Sequence, residues 1–333
     1  MARPLTQAPP RPGWQGETEG SPYLRVPIEN LLAGSTLPFS LYYFVDGSFI
    51  LYRGAGKRFE KSDRTKLLDS HITELHVPRT SQARYRQYLD GCLRRLLAAT
   101  DVAPAKRVEA FYSMAAGIAR DVLERPDRAE SVTGALEVVQ SSLVVLEGGK
   151  EVLHRLMGFM TGQYDLAAHS INVTNYGLAL ARAAGMKEPR TFLELGLGLL
   201  FHDAGLLKIP PRILRKKGPL TFDERAVYAQ HPLRGFEIFQ GKGLLPDVST
   251  AIIRDHHERI DGSGYPRGVG AGELGLGARI AQIVEEFDSL TCHQPGRRAV
   301  STFDAIRGMG KDQKGSFDPT LMGHFVELIG RSA

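Results

Sequence analysis

Cysteine is scarce in this 333-residue chain, with only Cys92 and Cys292 present and far apart. That excludes a disulfide framework and a zinc–thiolate site, so any metal has to be held by imidazole and carboxylate. Long apolar stretches are missing too. No run reaches the roughly 18 residues of a membrane span, and the start, MARPLTQAPPRPGW, has no apolar signal segment. The expectation is a cytoplasmic protein with no membrane association. Charge of one sign is also in short supply: a formal net charge of +5 over this length is too thin to argue for DNA, which is not expected as a partner, while a phosphate-bearing small molecule fits. What remains is an ordinary globular composition, 42% hydrophobic and 24% charged, at a length that calls for two or three domains.

Four segments follow from the local patterns. Residues 1–21 are rich in Pro, Gly and polar residues without an apolar period and read as a disordered tail. Residues 22–83 read as a small α/β domain. Leu41–Val45 and Ser48–Arg53 flank Asp46-Gly47, a dipeptide suited to the positive φ angles of a tight hairpin turn. A helix over 60–70 and a strand at Glu74–Pro78 complete that domain, which has no catalytic motif and is expected to sense a signal or to bind protein partners. Over 84–150 the apolar residues recur at helical spacing (Tyr88, Cys92, Leu93, Leu96; then Phe111, Met114, Ala115, Ile118), which predicts a helical connector. Residues 151–333 read as an all-α domain.

Seven of the ten histidines lie after residue 160, and His169, His202, His231, His256 and His257 stand where they can be gathered into one site. An almost wholly apolar helix, Thr191–Phe201, delivers His202-Asp203 at its end. Burying an ionised carboxylate without a partner is costly, so either a cation or a capped helix end with a hydrogen-bonded imidazole accounts for the pair. Asp165 and His169 lie four residues apart on one helical face. Thr221-Phe222-Asp223-Glu224 is a capping box that starts the helix leading to His231. His256 and His257 point about 100° apart on a helix and can reach one ion only near a helix end. The following Asp261-Gly262-Ser263-Gly264-Tyr265-Pro266 supplies that end. In the segment Gly277–Leu290, Glu285, Glu286 and Asp288 are interspersed among apolar positions, so at least one carboxylate can face inward. Such a ligand set suits iron, manganese or zinc, and a pair of ions bridged by carboxylate suits metal-assisted hydrolysis at phosphorus.

Together these motifs resemble the HD-GYP family, a subgroup of HD-domain phosphohydrolases that cleaves the bacterial second messenger cyclic di-GMP. The resemblance covers about residues 155–328. It rests on Phe201-His202-Asp203-Ala204-Gly205, Ile209-Pro210, His231-Pro232 with Gly235, His256-His257-Glu258-Arg259, the Asp261–Pro266 loop, Ala278-Arg279-Ile280 and Phe317-Asp318-Pro319. It implies two divalent ions, iron or manganese, with His169, His202 and Asp203 on one, and His231, His256 and His257 on a second that Asp203 bridges to. Glu285 occupies the family's remaining ligand position, an Asp there, and Asp165 matches a possible third-metal ligand. The resemblance makes Asp203 the catalytic carboxylate and places Tyr265 and Arg297, with Lys208 as a candidate added contact, at a cyclic di-GMP or related cyclic dinucleotide substrate, with pGpG and then GMP as products. Two departures stand out. Leu206 replaces the lysine of H-D-x-G-K, and Gln294-Pro295-Gly296-Arg297 keeps only the last Arg of R-P-Y-R. Lys208, Arg212, Arg215, Lys216 and Lys217 form a basic run nearby, either compensating or merely solvated. The alternative reading is therefore a weak or inactive signalling module that binds metal, nucleotide or a protein partner.

Overall fold

The computed structural model describes residues 21–98, 104–160, 165–216, 218–293, 298–312 and 315–330. The chain forms two compact units that divide between Ile118 and Ala119. In the first, the strands are β1 (Tyr23–Pro27), β2 (Ser35–Thr36), β3 (Leu41–Val45), β4 (Ser48–Arg53) and β5 (Arg58–Phe59). Helix α1 (Lys61–Asp69), strand β6 (Glu74–Pro78), helix α2 (Gln82–Ala98) and helix α3 (Pro104–Glu124) follow. Strands β1, β6, β3 and β4 form an antiparallel sheet in that order, while β2 and β5 pair separately. The hairpin turn sits on Asp46 and Gly47 with φ of 50° and 78°, the two positive angles its twist requires. Alternation along β1 and β6 buries Leu24, Val26, Leu75 and Val77 on one face.

Residues 84–150, read as a helical connector, are mostly helical where described, and the division between the two units falls within them. Tyr88 Oη accepts from the Leu32 amide (2.8 Å) and lies 2.6 Å from Ser35 Oγ. Buried Asn30 donates to Tyr85 Oη (3.0 Å) and accepts from Ser113 Oγ (2.9 Å). These bonds fasten α2 and the start of α3 to the sheet unit, and the residues from Ala119 onward belong to the second unit.

The second unit is helical: α4 (Ala129–Leu146), α5 (Gly149–Met160), α6 (Leu166–Ala183), α7 (Pro189–Phe201), α8 (Pro211–Leu214), α9 (Phe222–Tyr228), α10 (His231–Phe239), α11 (Asp247–Asp255), α12 (Leu276–Thr291), α13 (Thr302–Asp312) and α14 (Pro319–Ile329). Helix α6 is buried nearly all round, from Leu166 to Ala181, as a central core helix must be. It packs against α7, α12 and α14. By length and composition α4 is apolar enough to cross a membrane; here it packs on α6 and α7, burying Val132, Ala135, Val138 and Val139. The capping box at Thr221 forms as the sequence predicts, with Thr221 N donating to Glu224 (2.7 Å) and Glu224 N to Thr221 Oγ1 (3.3 Å).

Several motif residues serve the frame. Arg279 joins α12 to α14 by donating to Asp318 (3.0 Å), whose other oxygen caps α14 by accepting from the Thr320 and Leu321 amides. Gly205 permits the turn after His202-Asp203 to touch the start of α10: a Cβ there would lie 1.9 Å from the His231 carbonyl oxygen and 2.4 Å from the Gly235 nitrogen. Backbone cannot yield as a side-chain tip can. Gly205→Ala is therefore expected to destabilise the protein by about 1–3 kcal/mol or more, as overpacking does. Gly272→Ala, where no heavy atom lies within 4 Å of the added Cβ, serves as the control and should leave thermal unfolding unchanged. Equal unfolding temperatures for the two variants would refute this role of Gly205.

Candidate metal centre

Helix ends converge on one buried point. His169 sits in the first turn of α6. His202 is the C-cap of α7, and Asp203 starts the tight turn that follows. His231 opens α10, and His256 is the C-cap of α11 with His257 directly after it. Glu285 and Asp288 come from the middle of α12. All of these are buried except half-buried His257.

The tautomers of the rings follow from their partners. His202 Nδ1 lies 2.7 Å from the Leu199 carbonyl, His231 Nδ1 2.9 Å from that of Tyr228, and His256 Nδ1 2.8 Å from that of Ile253. A carbonyl oxygen only accepts, so each Nδ1 carries the proton and donates it, leaving a lone pair on Nε2 in the neutral ring. His169 Nδ1 likewise donates to Asp288 Oδ2 at 2.6 Å. Yet His169 and His202 bring their Nε2 atoms to 3.1 Å, and His231 and His256 theirs to 3.2 Å. When both rings of a pair are neutral, neither has a proton to share. Facing lone pairs at that distance repel unless a cation lies between or beside them.

Carboxylates complete two groups. One oxygen of Asp203 faces His231 (3.2 Å) and His256 (3.8 Å). The other faces His202 (3.5 Å) and His169 (3.8 Å). Oε2 of Glu285 lies 2.6 Å from His169 Nε2 and 3.3 Å from His202 Nε2. Ligand atoms of Asp203, His231, His256 and His257 all fall within 4.8 Å of one another, as do those of His169, His202 and Asp203. The residues present thus fit two cations sharing one carboxylate, with a nitrogen- and oxygen-donor set that suits iron, manganese or zinc.

The sequence-predicted residues divide accordingly. His169, His202, Asp203, His231, His256, His257 and Glu285 are brought together. Asp165 is not: its carboxylate takes a salt bridge from Arg120 at 2.7 Å. Tyr265 stacks on His257, with ring centroids 4.6 Å apart and planes at 24°, and its amide donates to the His257 carbonyl (3.2 Å). Lys208 is exposed at the end of the turn after Asp203, and Leu206 is buried in that turn. Lys216 pairs with Glu224. Arg297 and Lys217 lie outside the described residues.

Three residues of the surrounding shell were not picked out from the sequence as site residues. Asp288 orients His169, and Asn172 donates to the other Asp288 oxygen at 2.8 Å. For Asn172 the signal was spacing, three residues after His169 on the same helical face, while Asp288, three after Glu285, was one of the carboxylates able to face inward. Glu258 holds the loop under Tyr265 by accepting from the amides of Arg267 (2.6 Å), Gly268 (3.1 Å) and Val269 (3.1 Å). Burial pushes its carboxyl upward. At Gly264 an added Cβ would come within 2.5 Å of the His257 carbonyl oxygen, so this loop approaches the His-His turn as closely as glycine permits.

Burial, with His202 and His231 as neighbours, holds His256 well below the ordinary imidazole range. In the metal-free protein the unfolded chain then binds a proton at His256 that the folded chain refuses. Stability from this group is full above pH about 6.5 and is lost as pH falls from there toward the depressed folded value, with a limiting slope of about 1.4 kcal/mol per pH unit. Chemical denaturation of chelated protein across this range should show wild type losing more stability than His256→Gln. Parallel profiles would contradict the assignment.

Comparison with known proteins agrees with this geometry. The HD domain family model matches residues 155–321, half of the chain. A cyclic di-GMP phosphodiesterase of Pseudomonas aeruginosa is 33% identical over 162 residues, 49% of this chain and 39% of that protein. The cyclic di-GMP phosphodiesterase response regulator RpfG of Xanthomonas campestris pv. campestris is 37% identical over 43% of this chain and 38% of its own length. The 3'3'-cGAMP-specific phosphodiesterase 2 of Vibrio cholerae is 32% identical over 55% and 34%. The chain thus spans about two fifths of the length of these relatives or less. Bd1817, a solved HDG"Y"P protein from Bdellovibrio bacteriovorus, superposes with a TM-score of 0.71 over 92% of this chain and 99% of that one; at 21% identity the likeness is one of fold. By its family match, this chain belongs to the HD domain family.

Proposed function

We propose that the protein is a metal-dependent phosphodiesterase of cyclic dinucleotides, with cyclic di-GMP as substrate and the linear dinucleotide pGpG as first product. The observation that carries this reading is Asp203, whose two oxygens each face a different pair of imidazole Nε2 atoms. Two divalent ions, iron or manganese, bound there would supply an acidified water and charge stabilisation for the attacking and leaving oxygens at phosphorus. His169, His202 and Glu285 would hold one ion, His231, His256 and His257 the other, and Asp203 both. Hydrolysis consumes one water per phosphodiester opened, so a second round would yield GMP. Relatives named for cyclic di-GMP and for 3'3'-cGAMP both support the cyclic dinucleotide class. The sheet unit carries no residue of this centre and is the candidate for signal input or a protein partner.

Leu206 favours a second reading, a weak enzyme or a binding module. It is buried in the turn directly after Asp203 and offers neither charge nor a hydrogen bond to phosphate. A charge-assisted bond there contributes about 1.5–3 kcal/mol, roughly ten- to a hundredfold in rate. Turnover of cyclic di-GMP by protein loaded with manganese or iron, followed chromatographically, is expected to give pGpG slowly. Leu206→Lys should raise kcat/KM about tenfold or more, its stem lying along the apolar wall that Leu206 now fills. Fully loaded protein that neither binds nor cleaves cyclic di-GMP would overturn the enzyme reading, and unchanged turnover in Leu206→Lys would show that the lesion lies elsewhere.

A further inference from the structure

Of the four inward-facing rings, three rest their Nδ1–H on a backbone carbonyl, which is neutral, and one does not. His169 rests on the carboxylate of Asp288, at 2.6 Å. Asp288 is wholly buried, and its second oxygen is held by Asn172 Nδ2 at 2.8 Å, with the Cys292 sulfur 3.5 Å away. Asn172 in turn lies one helical turn beyond His169 on α6, while Asp288 and Cys292 lie one turn apart on α12. Cys292 also donates to the Met160 carbonyl at 3.1 Å, and Asn172 Nδ2 lies 3.3 Å from the same oxygen. In this arrangement two helices and the end of α5 fix one carboxylate behind one ring.

We infer that Asp288 is a positioning residue that sets the metal affinity of the His169–His202–Glu285 half of the centre separately from the other half. The inference rests on the dinuclear reading above and concerns how unequal its halves are. A carboxylate behind an imidazole fixes the ring's tautomer and direction and raises its basicity as a ligand, and removal of such a partner typically costs ten- to a hundredfold in metal affinity. The first half holds Asp203, Glu285 and, behind His169, Asp288: three carboxylates around two imidazoles. The second half holds three imidazoles and shares only Asp203. Loss of the Asp288 charge therefore falls on one ion. Asn172 holds the second oxygen of Asp288 and so fixes the plane in which the first meets the ring.

The test uses the full chain, freed of metal and titrated with Mn(II) by calorimetry, with the electron paramagnetic resonance spectrum recorded at the same free Mn(II). Wild type should take up two ions and give the spectrum of an exchange-coupled pair. Asp288→Asn should bind one ion with wild-type affinity and the other ten- to a hundredfold more weakly, and at intermediate Mn(II) should show the signal of an isolated ion. The double variant Asn172→Asp with Asp288→Asn keeps the buried charge and the amide–carboxylate bond but takes the charge off His169. It should fold like wild type, as read by unfolding without metal, yet bind Mn(II) like the single variant. Restored affinity in the double variant, or two ions bound at wild-type affinity by Asp288→Asn, would overturn the inference. Failure of wild type itself to bind two ions would instead overturn the dinuclear reading.

Discussion

Everything in the helical unit turns on one electrostatic constraint. The Asp203 carboxylate is fully buried between two pairs of imidazoles whose protons are already committed elsewhere. Backbone carbonyls of Leu199, Tyr228 and Ile253 take the Nδ1 protons of three rings, and Asp288 takes that of His169. In its neutral form each ring is thereby left with an electron pair aimed at its neighbour. A protein interior tolerates such convergence of lone pairs and negative charge only when positive charge is supplied. Two cations sharing Asp203 would resolve both pairs at once, and would supply the chemistry of the proposed phosphodiesterase.

Helix ends make this possible. A ring that must rest its Nδ1–H on a carbonyl three residues back needs the last turn of a helix or a tight turn, and His202, His231 and His256 all do so. The chain must then leave that end sharply. Gly205 lets the turn after Asp203 lie against α10, and Gly264 lets the loop carrying Tyr265 fold back under His257, so the glycines of both motifs are explained by clearance to backbone rather than by contact with substrate. Tyr265, expected at the substrate, stacks on the His257 ring, and the loop that bears it hangs on the buried carboxylate of Glu258.

Much of this was legible in the sequence because the signals were local. The hairpin at Asp46-Gly47, the capping box at Thr221 and the helix ends at His202 and His256 are each set by a few neighbouring residues. Glu285, put by the resemblance at a position that carries an Asp in the pattern, lies beside His169. Long-range pairings were not legible. Nothing near Asp165 in sequence announces Arg120, which takes the carboxylate expected at a third metal. Nothing near Tyr88 announces Ser35 and Leu32, which hold α2 to the sheet unit. Asp288 was visible as a carboxylate on an apolar helix, but its partner ring lies on α6, so its role emerges only once α6 and α12 pack together.

The most direct measurement is an anomalous-difference map from crystals of Mn(II)-loaded protein. Two peaks roughly 3.5–4 Å apart are expected, one beside His169, His202 and Glu285, the other beside His231, His256 and His257, with Asp203 between them. A single peak, or peaks away from Asp203, would contradict a dinuclear centre at this site.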